Sequence, residues 1–332
     1  MSGVWLETPD RNKKLGTSLN DALADALDQD DSVVLLGQDI GTLGGVFRIT
    51  RGLKETYGSD RVQDFVLAES SIIGAAVGLS LCGFRPICEI QFESFIYPGM
   101  NQLVTQAARM QLRMGHGSKL PLVVRVPYGG GFRGVEHHSE SNEAIFASVA
   151  GLSVVVCSSS FDAAILLKNA IAMDSPTIFY EPKKIYWKRL SLPSLQTEDS
   201  GWGARVLLEG SDVTVVSYGA SLHDCSDAIS MTSNGVSVEL IDVRWLRPLD
   251  LGPIINSVNK TGRLVVVHEG NGFCGVGAEI AAEVGRICFS QLKAPICRVA
   301  AKDEPYPPSA FEERFLPTAS DIFNAIHEVR NV

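Results

Sequence analysis

Short runs of aliphatic residues alternate along the chain with amphipathic segments. The first amphipathic segment repeats leucine at helical spacing, at Leu19, Leu23 and Leu27, after Ser18, which we expect to cap the helix. A continuous apolar run at 33–37 follows and is typical of a strand that is buried on both faces. The same alternation predicts strands over 61–67, 86–92, 120–126, 154–156 and 177–180, and helices over 72–81, 100–114 and 161–173.

This alternation is interrupted once and then resumes. Residues 182–203 are rich in Lys, Ser, Pro, Glu and Gly, a composition that is typical of an interdomain linker. Beyond them, the pattern predicts strands over 213–217, 236–241, 263–267 and 295–299, and helices over 222–231, 251–258 and 276–289. We therefore expect an α/β protein with two parallel-sheet domains, at 15–190 and 205–332, joined by a linker at 191–204.

Composition and charge narrow the class of protein. The 332 residues are 45% hydrophobic, which is ordinary for a folded globular protein, and the net charge is −9. This acidic balance disfavours nucleic-acid binding, because a phosphate backbone would be repelled. We interpret the densest basic cluster as a solvated segment; it consists of Lys183, Lys184, Lys188 and Arg189.

The sequence also predicts a soluble, cytoplasmic protein without membrane contact. Its longest weakly polar run, 71–84, is shorter than the roughly 20 residues that span a bilayer. The amino-terminal residues do not resemble a signal or transit peptide. The seven cysteines form no Cys-x-x-Cys pair and mostly have apolar neighbours, which indicates reduced, buried thiols, with Cys157 in the core.

The glycines of the first domain do not form a recognised nucleotide-binding loop. Those at 37–41 lack the Gly-x-Gly-x-x-Gly spacing of a dinucleotide loop, which disfavours a nicotinamide-dependent dehydrogenase. The sequence contains no Gly-Lys-Ser or Gly-Lys-Thr phosphate loop. The glycines at 41–45 are compatible with a phosphate cradle and equally with a simple turn.

One carboxylate lies where open α/β sheets bind ligands. Glu69 stands between a predicted strand and a predicted helix, at the carboxyl end of the strand. By position alone, the commoner explanation is an acid in the first turn of a helix, where the helix dipole favours negative charge.

A series of short motifs gives the chain a resemblance to a known family. In chain order they lie at 37–41, 44–47, 68–69, 85–92, 101–102, 138–141, 176–182, 242–250, 268–269 and 273–280. Each is weak singly, but their order from about 15 to 326 resembles the beta subunits of thiamine-diphosphate-dependent 2-oxo-acid dehydrogenases. The motifs at 89–92 and 180–183 are most similar to the branched-chain (2-oxoisovalerate) members.

The resemblance implies a transketolase-type pyrimidine-binding domain followed by the transketolase C-terminal domain. Glu69 matches the glutamate that contacts the aminopyrimidine ring nitrogen of thiamine diphosphate and shares its proton. Phe95 matches an aromatic residue that stacks on that ring, and Gln91 matches a residue that lines the pocket. His138 matches a histidine at the mouth of the active site, which donates a proton or orients the lipoyl group. A core aromatic is the alternative for Phe95, and an exposed loop histidine for His138.

The family's metal sites are matched only in part. The diphosphate is held through magnesium by a Gly-Asp-Gly segment, which does not occur in this chain, so the resemblance implies that an alpha subunit brings Mg²⁺. It also implies a structural potassium site made largely of main-chain carbonyls, in which Met173 replaces the family's Asp. The positions matched are Leu120, Leu122, Val123, Ala170, Met173 and Ser175.

The implied function is oxidative decarboxylation of branched-chain 2-oxo acids, with transfer of the acyl group to the lipoyl group of an acyltransferase core. Pyruvate or acetoin is the alternative substrate, and a non-catalytic assembly subunit is the alternative of another class. The implied assembly contains two alpha and two beta chains, and the second domain docks the acyltransferase core. We expect 242–250 and 272–277 to be packing surfaces between subunits, with exposed loops as the alternative.

Overall fold

The computed structural model describes residues 13–115, 117–189, 192, 199–232 and 235–332. These residues form two mostly parallel sheets, each with helices on both faces. The predicted α/β fold with two parallel-sheet domains is confirmed.

The strands, in chain order, are β1 (Val33–Gly37), β2 (Val62–Asp64), β3 (Arg85–Glu89), β4 (Leu122–Tyr128), β5 (Ser153–Val156), β6 (Pro176–Pro182), β7 (Arg205–Leu208), β8 (Val213–Ser217), β9 (Val238–Asp242), β10 (Trp245–Arg247), β11 (Leu264–Asn271) and β12 (Cys297–Ala301). The helices are α1 (Leu15–Gln29), α2 (Leu53–Tyr57), α3 (Glu69–Leu81), α4 (Ala108–Met114), α5 (Glu143–Ala147), α6 (Ser160–Ala172), α7 (Ser221–Met231), α8 (Gly252–Thr261), α9 (Val276–Ile287), α10 (Glu312–Phe315) and α11 (Ala319–Arg330). Short 3₁₀ segments lie at Glu93–Gly99, Glu136–His138, Lys183–Ile185, Phe289–Gln291 and Ser309–Phe311, and a π-helical segment at Gln102–Ala107.

The first sheet has seven strands in the order β10-β5-β6-β4-β3-β1-β2. All neighbouring strands are parallel except β10, which runs antiparallel to β5. Every residue of β1, β4, β5 and β6 is buried, which explains why these strands read as continuous apolar runs. Helices α1 and α6 cover one face of the sheet, and α3 covers the other.

The second sheet has five strands in the order β12-β11-β8-β9-β7, and β7 is its antiparallel edge strand. Helices α7 and α11 cover one face of this sheet, and α8 and α9 cover the other. The sequence patterns did not predict β7 or α11. The helix α11 is marked by a capping box in which Thr318 and Asp321 satisfy each other's backbone N–H groups.

Strand β10 joins the domains, because it follows β9 in the chain but pairs with the first sheet. The Val156 N–H donates to the Arg244 carbonyl at 2.8 Å, and Trp245 stacks on Trp202 with ring centroids 4.6 Å apart. The expectation that 242–250 packs against another subunit is wrong for residues 242–246. They are at most 4% exposed and pack within this chain.

Two local predictions fail for physical reasons. Ser18 does not cap the first helix; it is buried inside α1, which begins at Leu15. The strand predicted over 61–67 ends at Asp64, and Val66 and Leu67 leave the sheet as exposed side chains. An apolar run indicates burial only where the chain stays within the sheet.

The burial of the cysteines and the length of the helices relate to the predicted cellular environment of the protein. Cys157 is fully buried as predicted, whereas Cys82 and Cys274 are exposed, so burial was wrong for these two thiols. Among the described helices, none combines the length and apolar character needed to cross a bilayer.

Candidate active site

The carboxyl ends of β1, β2, β3, β4 and β6 meet at one edge of the first sheet, here called the carboxyl edge. Each of the four residues predicted to bind the cofactor or take part in catalysis follows one of these strands. Glu69 follows β2, Gln91 and Phe95 follow β3, and His138 lies in the loop after β4. Loops at this edge form the ligand sites of open α/β sheets, so the fold places all four residues where a site is expected.

Glu69 is the first residue of α3, after Ala68 in the extended conformation of an N-cap. Its side chain is partly exposed, and no group in the described part of the chain forms a hydrogen bond or ion pair with the carboxylate. Val66 and Leu67, just before the N-cap, are 65% and 70% exposed. A carboxylate with no partner among the described residues, beside two exposed aliphatic side chains, is suited to contact a second molecule.

The 3₁₀ segment Glu93–Gly99 contacts both Glu69 and the loop of His138. Gly99 packs so closely on α3 that a Cβ atom there would clash with Ile73 and lie 3.3 Å from the Glu69 carbonyl oxygen. Within the same segment, the partly buried Phe95 packs edge-on against His138, with ring centroids 5.3 Å apart. The structure therefore brings Phe95 and His138 together and connects both to Glu69 through one short segment.

The His138 ring packs among aromatic side chains, and one of its nitrogens has no hydrogen-bond partner among the described residues. Its ring centroid lies 4.2 Å from that of Phe92, and its Nδ1 atom is buried without a hydrogen-bond partner among the described residues. Burial lowers the pKa of His138, and the neighbouring His137 and Lys183 lower it further. The neutral imidazole is therefore the main form at neutral pH, available to exchange a proton with a ligand.

A buried ion pair beneath these rings was missed by the sequence reasoning. Lys183 Nζ lies 2.8 Å from Glu93 Oε2 and 5.6 Å from the centre of the Phe92 ring. Burial raises the pKa of Glu93 to about 7, although Lys183 opposes this shift. The interpretation of Lys183 as part of a solvated segment is wrong, because its charge is paired inside the protein. The available signal was its position directly after a buried strand, at the carboxyl edge.

Gln91 and the glycine-rich loop after β1 lie side by side. Gln91 Nε2 donates to the Gln38 carbonyl oxygen at 3.4 Å. The Asp64 carboxylate accepts from the Gly41 N–H at 2.6 Å and from the Thr42 N–H at 3.0 Å. Of the two interpretations of 41–45, the turn is correct, because these N–H groups point to Asp64 and not to a phosphate site.

The second domain reaches the carboxyl edge through Glu269, in β11. A Cβ atom on Gly129, which follows β4, would lie 3.0 Å from Glu269 Oε2. Both carboxylate oxygens of Glu269 are buried without a partner in the described residues, and burial raises its pKa to about 7. The carboxyl edge thus has a second acid without a partner among the described residues. Glu269 belongs to the family motif at 268–269, but the motif did not indicate what it contacts.

Comparison with known proteins decides the family. "Transketolase, pyrimidine binding domain" matches residues 12–188, and "Transketolase, C-terminal domain" matches residues 203–322. The pyruvate dehydrogenase E1 component subunit beta of Leifsonia xyli subsp. xyli is 42% identical over 310 residues, covering 93% of this chain and 92% of that protein. The 3-methyl-2-oxobutanoate dehydrogenase subunit beta of Mycobacterium tuberculosis is 42% identical over 314 residues, covering 94% and 90%. The chain belongs to the beta-subunit family of the 2-oxo-acid dehydrogenases.

A solved structure gives the same fold at lower sequence similarity. A protein described as "Split gene transketolase, inactive beta4 tetramer" matches with a TM-score of 0.74 and 20% identity, covering 95% of this chain and 97% of that chain. At this identity the likeness concerns the fold alone. Together with the family match, it confirms the predicted pair of transketolase-type domains in this beta subunit.

Two acids of the motifs that favoured branched-chain relatives, Glu89 and Glu181, lie in the core of the beta subunit, whereas Gln91 lies at the carboxyl edge. Arg125 Nη1 lies 2.8 Å from Glu89 Oε2, and Arg125 Nε lies 2.6 Å from Glu181 Oε1. All three side chains are at most 4% exposed. Glu89 and Glu181 therefore hold strands β3, β4 and β6 together and are not placed to contact a substrate. Similarity at these positions reports on packing and gives no support to one acyl group over another.

The predicted potassium positions lie at the opposite edge of the first sheet, here called the amino edge. Leu122 and Val123 begin β4, Ala170 lies in the last turn of α6, and Met173 and Ser175 lie in the loop between α6 and β6. The Met173 carbonyl oxygen accepts from Arg85 Nη1 at 3.1 Å, and that of Ala170 accepts from the Met173 N–H at 3.3 Å. Each of these oxygens accepts a hydrogen bond within the chain, and the potassium site stays a prediction.

Proposed function

We propose that this chain is the beta subunit of a 2-oxo-acid dehydrogenase whose thiamine diphosphate site is completed by an alpha subunit. The observation that carries the proposal is the Glu69 carboxylate, unpartnered among the described residues and flanked by the exposed Val66 and Leu67. A proton-sharing carboxylate works best shielded from water, and this chain alone does not enclose Glu69. The alpha subunit would enclose it and bring Mg²⁺, for which this chain has no Gly-Asp-Gly segment.

Three groups at the carboxyl edge fit a planar heteroaromatic ring. Thiamine diphosphate, when bound, supplies the electron sink for decarboxylation. Glu69 would hold a proton for the pyrimidine ring nitrogen, Phe95 would pack on the ring, and Gln91 would line the pocket. A carboxyl group, an aromatic ring and an amide from adjacent loops are the kinds of group that orient such a ring.

His138 serves the later step, in which the acyl group passes to the lipoyl group of the acyltransferase. Its lowered pKa and unpaired Nδ1 support this role, because a mostly neutral imidazole can accept a proton and return it. The packing of His138 on Phe95 puts His138 next to the residue assigned to the pyrimidine ring.

For the substrate, we propose branched-chain 2-oxo acids first, and pyruvate or acetoin second, because Gln91 at the carboxyl edge belongs to a motif that resembles the branched-chain members. Relatives named for pyruvate and for 3-methyl-2-oxobutanoate are equally similar to the chain, at 42% identity, so similarity alone favours neither. The test is co-expression with an alpha subunit and a ferricyanide-coupled decarboxylation assay on both acids. A kcat/KM at least about 10-fold higher for 3-methyl-2-oxobutanoate supports the first choice, and the reverse ratio transfers the proposal to pyruvate.

The assembly completes the proposal. We propose two alpha and two beta chains in the cytoplasm, with the second domain docking the lipoyl acyltransferase core. The loop 272–277 supports a packing role, since Phe273 is 75% exposed. Free thiols at all seven cysteines agree with a reducing compartment. A correctly assembled complex that turned over no 2-oxo acid would favour the non-catalytic alternative.

A further inference from the structure

The histidine of the candidate site lies in a loop at 129–140 that closes on itself, here called the histidine loop. At its base, the Gly129 N–H donates to the Glu140 carbonyl oxygen at 3.0 Å. Further along the loop, Gly131 and Arg133 have positive φ angles of 84° and 62°. This conformation is unfavourable for Arg133, because its Cβ atom is crowded by the backbone. Contacts from outside the loop are therefore needed to hold its shape.

Those contacts come from Glu312, the first residue of α10 in the second domain. Its Oε1 atom accepts from the Gly131 N–H at 3.1 Å and from the Arg133 N–H at 3.2 Å, and its Oε2 atom lies 3.2 Å from the same Arg133 nitrogen. In the described part of the chain, no other group accepts a backbone N–H of residues 130–135. A carboxylate binds backbone N–H groups more strongly than a neutral acceptor does. Glu312 is therefore the main constraint on this part of the loop.

Glu312 is itself held firmly within the second domain. It is 4% exposed, and the Tyr306 hydroxyl donates to its Oε1 atom at 2.6 Å. Tyr306 packs edge-on against Phe315, with ring centroids 4.9 Å apart. The Tyr306 hydroxyl also lies so close to Gly130 that a Cβ atom there would clash with it. The second domain thus supplies both a fixed acceptor and a surface that fits the histidine loop.

The returning arm of the histidine loop carries the ring of the candidate site. The His138 N–H donates to the Val135 carbonyl oxygen at 2.9 Å, two residues after Arg133. The His138 ring packs on Phe95, with centroids 5.3 Å apart. Release of Arg133 from Glu312 would therefore free the backbone that sets the position of this ring.

We propose that Glu312 is a positioning residue, which acts from the second domain to hold the histidine loop and thereby the His138 ring at the candidate site. The proposal rests on the proposed function, since it acts through the role of His138 in acyl transfer. It gives the second domain a direct part in arranging the active site. The alternative is that Glu312 only stabilises the contact between the domains.

Three variants of the assembled enzyme test the proposal. Glu312→Ala removes the acceptor, and Glu312→Gln keeps one acceptor oxygen. Glu313→Ala is the matched control, because the exposed Glu313 pairs only with the Arg133 side chain, at 3.1 Å. We expect Glu312→Ala to lose about 5-fold in acyl transfer to lipoyl protein and less than about 2-fold in ferricyanide-coupled decarboxylation. Glu312→Gln should recover most of the loss, and Glu313→Ala should leave both rates unchanged.

A double variant separates positioning from a general loss of stability. If Glu312 acts through His138, Glu312→Ala combined with His138→Ala should transfer the acyl group as fast as His138→Ala alone, within about 2-fold. Losses that multiply would overturn the proposal, because Glu312 would then act independently of His138. Equal losses in both assays for Glu312→Ala would also overturn it, since they indicate a purely structural residue.

Trypsin cleavage after Arg133, followed by mass spectrometry on the full chain, reports on the loop without an activity assay. We expect Glu312→Ala to be cleaved there at least about 5-fold faster than the wild type or Glu313→Ala, because cleavage follows the population of the open loop. An unchanged rate overturns the proposal. If the loop is released but His138→Ala does not slow acyl transfer, the role of His138 in the proposed function fails and the positioning by Glu312 stands. If Glu312→Ala does not fold, Glu312→Asp, which withdraws the carboxylate by one methylene, takes its place with the same expected results.

Discussion

The two edges of the first sheet differ in whether their polar groups have hydrogen-bond or ion-pair partners. At the amino edge, Arg85 and Lys119 pair the Asp174 carboxylate, and the carbonyls around it have N–H or O–H donors. At the carboxyl edge, the Glu69 carboxylate and His138 Nδ1 have no partner among the described residues. The same strands build both edges, so folding alone does not require the difference.

This comparison shows at which edge the chain pairs its polar groups by itself and at which edge it does not. Polar groups in folded proteins are normally paired, and a chain that can satisfy one edge so fully could have satisfied the other. We therefore expect the groups without a partner at the carboxyl edge to contact another molecule.

The largest effect is expected from Glu69→Gln in the assembled enzyme. The amide can still hydrogen-bond but cannot hold and release the proton, so we expect turnover to fall by about 100-fold or more without loss of assembly. Ferricyanide-coupled decarboxylation measures the turnover, and gel filtration measures the assembly. Glu55→Gln is the matched control, since Glu55 is another exposed first-turn acid. Near-normal turnover of Glu69→Gln would remove this residue from the mechanism.

At the carboxyl edge, Lys183 and Glu93 are an exception because their charges are paired, and Lys183→Met tests this ion pair. The substitution leaves Glu93 buried without its cation, and breaking such a pair costs about 3–5 kcal/mol. Urea unfolding measures the free energy of unfolding between pH 7 and 9, because the loss of Lys183, which lowers the pKa of Glu93, raises that pKa further. The double variant Lys183→Met with Glu93→Leu removes both charges and should recover most of the loss. Equal losses in the single and double variants would show that packing, and not the charge pair, is responsible.

The pH dependence of stability tests Glu269. Burial raises its pKa to about 7 from an ordinary 4.5, so the folded chain binds this proton more tightly than the unfolded chain. Its stabilising contribution is complete below the ordinary pKa and is lost as the pH rises through about 7. We expect Glu269 to account for up to about 3 kcal/mol of the fall in the free energy of unfolding across this window, and Glu269→Gln to reduce the fall by that share. Glu93, whose pKa burial also raises to about 7, contributes a separate share that Glu269→Gln leaves in place.

A matched variant separates this effect from other carboxylates. Burial opposes a low pKa for Asp64, but hydrogen bonds from Lys54 and from the Thr42 and Gly41 backbone hold it well below the usual range. Asp64 therefore stays ionised across the window, and Asp64→Asn should leave the slope with pH unchanged. A slope that Glu269→Gln does not alter would assign the pH dependence to other groups.

The smallest effect is expected from His138→Ala. We expect a loss of about 10-fold in acyl transfer to the lipoyl group, with less change in decarboxylation to an artificial acceptor. The neighbouring and more exposed His137 provides the control, because His137→Ala should affect neither rate strongly. Equal losses in both assays for His138→Ala would contradict a role limited to transfer.

Features of the fold could be predicted from the sequence where they depend on residues that are close together in the chain. Strands such as β4 and β6 could be predicted because every residue is buried, which produces a continuous apolar run. The crossing of β10 into the first sheet could not, because Trp245 would suit the core of either domain. The motif order placed the four site residues on loops that the structure brings to one edge. Their roles as assigned here still stand as predictions.

The missed features are pairings between distant parts of the chain. The bonds of Lys183 to Glu93 and of Arg125 to Glu89 depend on which strands lie side by side, which local periodicity does not encode. A charged residue next to a buried strand signals that a partner exists without identifying it. The same reason explains why Arg85 could be assigned to a family motif, while its contacts with Ile171 and Met173 could not be foreseen.

The central claim is that this beta subunit holds only the pyrimidine half of a split cofactor site. Isothermal titration calorimetry with thiamine diphosphate and Mg²⁺ tests it directly, on the chain alone and on its complex with an alpha subunit. Half a site provides little binding energy, so we predict no measurable binding to the chain alone and saturable, magnesium-dependent binding to the complex. Tight, magnesium-dependent binding of thiamine diphosphate by the isolated chain would contradict the claim.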